Sequence, residues 1–246
     1  MKQILITGGS SGIGLGLAER FLKDGARVII TGRDPEKLAA VHPGLETFVN
    51  DISQIQQREA LAIHIDKTMP GIDMLINNAG IQRRVALADD QALWPDRQNE
   101  IDILLAAPVH LNHLLLPLLL QESKTSTIVN VTSGGAYIPQ VFAPLYSACK
   151  AALHHYTMSL RYSLQNTTCK VTELIPPAVQ TGLAGSGNNH GVPLKEFCDA
   201  IYGALITGKQ SEIGYAQTPG LIPQISGKAV AELFEMSAAR YPVKMY

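Results

Sequence analysis

The chain has 246 residues, 46% of them hydrophobic and 17% charged, which is too apolar for a disordered segment, too mixed for a fibre, and long enough for one large α/β domain with its own core. A formal net charge of −1 offers no basic surface to release counterions from nucleic acid, so a small molecule is the expected partner. Cys149, Cys169 and Cys198 are widely spaced without a CxxC pattern; neither a disulfide framework nor a zinc site is predicted, and with no signal-peptide pattern in MKQILITGG the expected location is a reducing cytoplasm.

Short β-rich runs alternate with helical segments from the start. Candidate strands lie at 3–7, 27–31, 47–50, 74–77, 127–132, 170–175 and 212–216, and runs such as ILIT, VIIT and IVNV are nearly continuous, as strands covered on both faces should be. After the first strand comes Thr7-Gly8-Gly9-Ser10-Ser11-Gly12-Ile13-Gly14, opening an amphipathic helix that runs to about Lys23. Glycines there let the chain reverse and let backbone approach a pyrophosphate, and the N–H groups and partial positive charge of a helix N-terminus favour an anion. Gly8, Ser10, Ser11, Gly12, Ile13 and Gly14 are therefore candidate phosphate contacts, although the spacing is GxxxGxG rather than GxGxxG. Together, the alternation and the turn predict a single Rossmann-type, doubly wound α/β domain over 1–246, with about seven parallel strands and helices on both faces.

The second strand ends in Thr31-Gly32-Arg33. NAD sites commonly place a carboxylate there for the ribose hydroxyls; an arginine suits a 2′-phosphate instead, which predicts NADP(H) rather than NAD(H). Asp34 and Pro35 read as the cap and first position of a helix, and Ser53 with Gln56 as a capping box. The Leu-rich stretch 111–120 is broken by Asn112, His113 and Pro117 and is too short to cross a bilayer, so it reads as a core helix and no membrane association is expected. Tyr146 and Lys150, four apart in the helical segment YSACKAALHHYTMSLRYSL, share a helix face, where an ammonium would lower the phenol pKa. Ser133 comes just after the strand IVNVT. His154 and His155, in the same helix, read as packing or interface residues. The stretch 182–191, GLAGSGNNHG, cannot sustain a helix and is expected to form a mobile substrate loop, extending to about residue 197.

TGGSSGIG at 7–14, NNAG at 77–80, Ser133 and Tyr146-Ser147-Ala148-Cys149-Lys150 together resemble the short-chain dehydrogenase/reductase family, in the right order over most of the chain. The resemblance implies carbonyl reduction or secondary-alcohol oxidation by hydride transfer, with Ser133, Tyr146 and Lys150 catalytic, Tyr146 the proton donor or acceptor, and Lys150 also on the nicotinamide ribose. It further implies Asp51 and Ile52 at the adenine, Asn78, Ala79 and Gly80 beside the adenosine ribose, and Pro177, Val179 and Thr181 at the nicotinamide amide. The sequence Pro176-Pro177-Ala178-Val179-Gln180-Thr181, PPxVxT in place of the usual glycine form, resembles a DltE-like subgroup of bacterial reductases. Leu104 stands where the family commonly has an Asn that holds the water of a proton relay behind the lysine, a task leucine cannot perform through its side chain. This departure keeps two alternatives open: a hydrolase using Ser133 or Tyr146, and a non-catalytic NADP-binding protein. Arg83 and Arg84, after NNAGIQ, read either as surface residues or as ligands for a substrate carboxylate or phosphate. The helices containing Leu104 and Tyr146 resemble those that pair between the family's subunits, which implies a homodimer or homotetramer.

Overall fold

Seven strands form one parallel sheet in the order β3-β2-β1-β4-β5-β6-β7 in the computed structural model, which describes residues 1–121, 124–185 and 190–216 together with Thr218 and Met236. They are β1 (Gln3–Ile6), β2 (Arg27–Gly32), β3 (Glu46–Val49), β4 (Met74–Asn77), β5 (Ser126–Val131), β6 (Cys169–Ile175) and β7 (Glu212–Gly214). The helices are α1 (Gly12–Lys23), α2 (Pro35–Ala39), α3 (Ile55–Thr68), α4 (Trp94–Ile101), α5 (Ala107–Leu119), α6 (Pro144–Ser163) and α7 (Leu194–Thr207). This is the expected Rossmann-type arrangement, and strand boundaries differ from the sequence reading by a residue or two at either end.

Successive side chains of a strand point to opposite faces, which explains the continuous apolar runs. Ile4 and Ile6 of β1 join a core with Leu17, Phe21 and Phe197 under α1 and α7, whereas Leu5 joins one with Leu61, Ile65, Leu111 and Leu115 under α3 and α5. The edge strand β3 is the exception. Its residues Glu46, Thr47 and Val49 are exposed, and Glu46 is held instead by Arg27, whose Nε and Nη2 donate to the carboxylate at 2.6 and 2.8 Å. The order reverses between β1 and β4, and in a parallel sheet that switch opens a crevice at the strands' C-terminal ends.

Local signals fare unequally. Asp34 caps α2 as predicted, its side chain accepting from the N–H groups of Glu36 and Lys37, with Pro35 first in the helix. The capping box does not form: α3 starts at Ile55 after Gln54, and Ser53 turns back to donate from N and Oγ to Asp51 Oδ1, at 3.0 and 2.8 Å. An Asp two residues upstream thus outcompetes the helix for the serine. The Leu-rich stretch is part of a longer helical run, Trp94–Leu119, which by length and composition alone would suffice to cross a membrane; Leu104, Ala107, Leu111, Leu115 and Leu119 along it are buried against the rest of the chain. Between α4 and α5 the run widens into a π-helical turn, Asp102–Ala106. Pro108 has no N–H to offer the carbonyl of Leu104, and its ring pushes that carbonyl aside, so the turn opens there.

Of the expected substrate loop, Gly182–Ala184 is a short 3-10 turn. Residues 186–189 lie outside the described residues. The loop's bases are tied together, Val192 N donating to Ala178 O at 2.9 Å and Gln180 N to Val192 O at 3.0 Å. It does not extend to 197: α7 begins at Leu194, and Phe197 is fully buried.

Candidate active site

The crevice above the switch point is a cleft of about 1100 Å³. One wall is made mainly of backbone. Gly8 has φ +64, and a side chain on it would strike the backbone of Ala79 at 2.7 Å; α1 then begins at Gly12 with no side-chain cap from Ser11, leaving the first-turn N–H groups directed at the cleft. Gly8, Ser10, Ser11, Gly12 and Ile13 line this wall, while Gly14 does not. Gly14 packs below, where a Cβ would come within 2.4 Å of Gly8 O and 2.5 Å of Asn78 Nδ2. The Asn78 amide is a prop for the turn, donating to Thr7 O at 3.0 Å and Gly8 O at 3.1 Å, and Thr7 Oγ1 accepts from the N–H groups of Asn78 and Ala79. Beneath them, Asn77 Nδ2 donates to Asn112 Oδ1 at 2.7 Å and Asn130 Oδ1 at 2.9 Å in a buried asparagine cluster that ties β4 to β5 and α5.

Arg33 is exposed at the rim, with Lys37 also lining the cleft. Sequence reading missed Lys37, whose signal is its place in the first turn of the helix that Asp34 caps. Asp51, Ile52, Asn78, Ala79, Gly80, Pro177, Val179 and Thr181 all line the same cleft. An uncapped helix start, glycine-dependent close approach and a cationic rim are the features that suit a dinucleotide carrying an extra phosphate.

The opposite wall is made of side chains. Ser133 follows β5 and caps the short turn Gly134–Ala136, its Oγ accepting from Gly135 N at 3.1 Å. Pro144 at the start of α6 sets the helix, so Tyr146 and Lys150 project from its first two turns, and all three side chains reach the cleft while remaining almost entirely buried. Burial pushes the Tyr146 phenol above its ordinary value, opposed by a hydrogen bond with Ser133. The expected lowering by Lys150 is therefore not found. The ammonium instead donates to Val131 O at 2.6 Å and stands 5.7 Å from the centre of the Tyr146 ring, and burial pushes its own pKa down to about 8. Behind Lys150, Leu104 packs with Thr7, Ile52, Asn77, Ala79, Pro108, Leu111 and Leu153 too tightly to admit a water molecule.

The two arginines differ in their contacts. Arg83 is turned onto α4, where Nη1 donates to Asp96 O and Nη2 to Asn99 Oδ1 at 3.3 Å. Both line the cleft, and Arg84 places its guanidinium 4.7 Å from the centre of the Phe142 ring. Tyr137 and Gln140 complete this side. His154 is neither a packing nor an interface residue alone: its Nδ1 lies 2.8 Å from Oε2 of Glu173, a carboxylate with no exposure at all. The signal that would have found it is an acid in the middle of the strand VTELI, where charge is not buried without partners.

The profile described as short chain dehydrogenase matches residues 2–190. Over 228 residues the chain is 39% identical to an uncharacterized oxidoreductase, DltE, of Bacillus subtilis, covering 89% of each. It is 33% identical over 205 residues to a serine 3-dehydrogenase of Agrobacterium fabrum, covering 81% of this chain and 79% of the relative. In fold it is similar to a short-chain dehydrogenase from Burkholderia cenocepacia solved in complex with NADP, with a TM-score of 0.82 at 24% identity over 99% of this chain and 100% of that one.

Proposed function

Because the chain belongs to the short-chain dehydrogenase family, we propose that it is an NADP(H)-dependent oxidoreductase that reduces a carbonyl or oxidises a secondary alcohol, within a DltE-like subgroup. The observation that carries the reading is the convergence of Ser133, Tyr146 and Lys150 on one cleft whose other wall is the glycine-rich turn. Gly8, Ser10, Ser11, Gly12 and Ile13 would hold the pyrophosphate, Arg33 and Lys37 the 2′-phosphate, Asp51 and Ile52 the adenine, Asn78, Ala79 and Gly80 the adenosine ribose, and Pro177, Val179 and Thr181 the nicotinamide amide. Bound NADPH supplies the hydride.

The chain's residues do the rest. In reduction, Ser133 Oγ donates a hydrogen bond to the substrate carbonyl oxygen, and Tyr146 Oη gives its proton to that oxygen as negative charge develops. Burial keeps the phenol protonated but makes it a weaker acid, so its proton transfer relies on the positive charge of Lys150 to stabilise the phenolate. Lys150 Nζ, which donates to Val131 O, would also hold the nicotinamide ribose hydroxyls and stabilise the phenolate left behind, and a proton from solvent would restore the phenol. Met158 and Tyr162, exposed on α6, support self-association through that helix into a dimer or tetramer, which analytical ultracentrifugation tests.

The direct test is a panel of aldehydes and ketones with NADPH or NADH, followed by loss of absorbance of the reduced nicotinamide. Turnover with NADPH is expected. Hydrolysis of esters without cofactor, or tight NADPH binding with no turnover across the panel, would overturn the assignment in favour of a hydrolase or a binding protein.

A further inference from the structure

Strand alternation places Cys169, Val171 and Glu173 on the face of β6 that α6 covers, and of these Glu173 carries a charge into the interior with no exposure. Its carboxylate collects donors from three other elements. Thr132 Oγ1, just past β5, donates to Oε1 at 2.6 Å. His154 Nδ1, on α6, lies 2.8 Å from Oε2. Tyr137 Oη, at the end of the turn after Ser133, donates to Oε1 at 3.4 Å and lies 3.1 Å from His154 Nδ1, with the two rings 4.7 Å apart. A buried carboxylate needs such a set, since an unpartnered one would be neutralised or expelled.

These bonds bracket the chemistry. Thr132 immediately precedes Ser133, and Tyr137 follows the Gly134–Ala136 turn that Ser133 caps. The backbone reinforces the tie on either side, Thr132 N donating to Leu174 O at 2.8 Å and Gly134 N to Pro176 O at 3.1 Å. His154 sits one helical turn beyond Lys150 and two beyond Tyr146. One carboxylate therefore connects the segment that carries the serine with the helix that carries the tyrosine and lysine, two elements whose relative placement fixes the distances at a shared substrate atom.

We propose that Glu173 is a positioning residue for the reaction assigned above, on which this inference rests: its carboxylate clamps the Ser133 turn to α6 and holds Tyr137 as a wall of the substrate cleft. The clamp contains a titrating pair. Glu173 raises His154 above the ordinary imidazole value by hydrogen bond and charge, Glu212 on β7 acts in the same sense, and burial and Arg161 oppose them. His155, with its ring 5.4 Å from that of His154, and Lys150 one turn earlier are the remaining titratable neighbours on the helix, and Tyr137 faces it from the turn. Below the raised value His154 is cationic and the pair is closed; as pH climbs through it the imidazole loses its proton and the clamp weakens.

The experiment compares Glu173→Ala, Glu173→Gln and Thr132→Val in the full chain. Glutamine keeps an oxygen for Thr132 and Tyr137 and presents an amide N–H to a neutral His154; alanine keeps nothing. With saturating NADPH and a carbonyl substrate found by the panel, Glu173→Ala is expected to lose about tenfold or more in kcat, as displacements of catalytic groups do, with the KM for NADPH within about twofold. Glu173→Gln should recover most of that kcat but lose the limb of the pH profile that His154 contributes. If folded Glu173→Ala keeps kcat within twofold, or if the glutamine and alanine variants are equally impaired, the proposal is overturned; should Glu173→Ala fail to fold, Thr132→Val decides it, an unchanged kcat overturning the clamp. A second readout stands apart from activity: titration of the His154 ring followed by nitrogen NMR in the unliganded protein. A value above the ordinary 6.5 that falls in Glu173→Gln supports the clamp even if the panel yields no substrate, whereas an unshifted wild-type value overturns it even in an active reductase.

Discussion

The two walls of the cleft are built from different material. The nucleotide wall, residues 7–14 with 78–80, is main chain at close approach, where Gly8 and Gly14 leave no room for an added carbon. The wall assigned to catalysis is a set of buried side chains, Ser133, Tyr146 and Lys150, with Thr132, Tyr137 and His154 gathered behind it on Glu173. A wall of backbone is broken by adding atoms. A wall of side chains is broken by removing them, and its chemistry can fail while its shape survives.

The sharpest way to use that contrast is Tyr146→Phe, which removes one hydroxyl and little volume. Turnover should fall by about 10³-fold, within the range for loss of a positioned proton donor, while NADPH affinity measured by calorimetry stays within about twofold. Near-wild-type turnover would place the proton elsewhere. Gly14→Ala does the reverse. It adds a methyl 2.4 Å from Gly8 O, and the forced shift of the turn should cost roughly 3 kcal/mol, or about 10²-fold in NADPH affinity, with thermal stability lowered too. A variant that binds NADPH normally would mean that the turn has slack its packing does not suggest.

The same contrast explains what could be read in advance. Main-chain walls are written locally: TGGSSGIG, its preceding strand and the following helix are contiguous, and alternation of short apolar runs with helices placed all seven strands along the chain to within a residue or two. The tyrosine–lysine pair is local as well, being one helical turn. What stayed hidden is what depends on residues far apart in the chain. Glu173 meets Thr132 across 41 positions, and Asn78 meets Gly8 across 70; no pattern around either residue announces its partner. Ser53 misled for the opposite reason, because two local motifs competed for one hydroxyl and the Asp51 turn won. The lowered phenol expected beside Lys150 failed on burial, a property that a spacing of four residues does not encode.

Burial also sets the next prediction. Lys150 has a folded value pushed down from 10.5 to about 8, so the unfolded chain holds that proton more tightly. Below about pH 8 the folded protein bears the full penalty of a buried ammonium, and its stability rises as pH climbs between 8 and 10.5 because the unfolded state then binds more protons than the folded one. Lys150→Met should therefore be more stable than wild type at pH 7, on the order of 2 kcal/mol after loss of the bond to Val131, with the gap closing above pH 8. Urea denaturation at a series of pH values reads it, and a less stable variant at pH 7 would show that partners compensate the charge fully. On the nucleotide wall, Arg33→Ala should weaken NADPH by about tenfold while NADH changes little, the loss of one charge-assisted contact with Lys37 left in place. Equal effects on both cofactors would remove the 2′-phosphate from the argument.

The smallest effect concerns the rear of the catalytic wall. Leu104 packs behind Lys150 and beside Asn77, and Asn77 Oδ1 is a buried acceptor with no hydrogen-bond partner. The nearby amide of Asn112 is already engaged with Asn77 and Asn130 and serves the sheet. In the proposed reaction hydride transfer would need only Ser133, Tyr146, Lys150 and the cofactor, so with leucine at 104 the step expected to slow is return of a proton to Tyr146 between turnovers. Leu104→Asn is expected to raise steady-state kcat by about twofold, a modest acceleration within the range of general acid–base effects, while the single-turnover hydride rate is unchanged. The π-helical turn at Asp102–Ala106 already departs from regular helix, which favours acceptance of the amide. Should both rates rise together, the leucine distorts the ground state rather than starving the relay; should neither rise while the variant remains folded, Tyr146 recovers its proton through the open cleft.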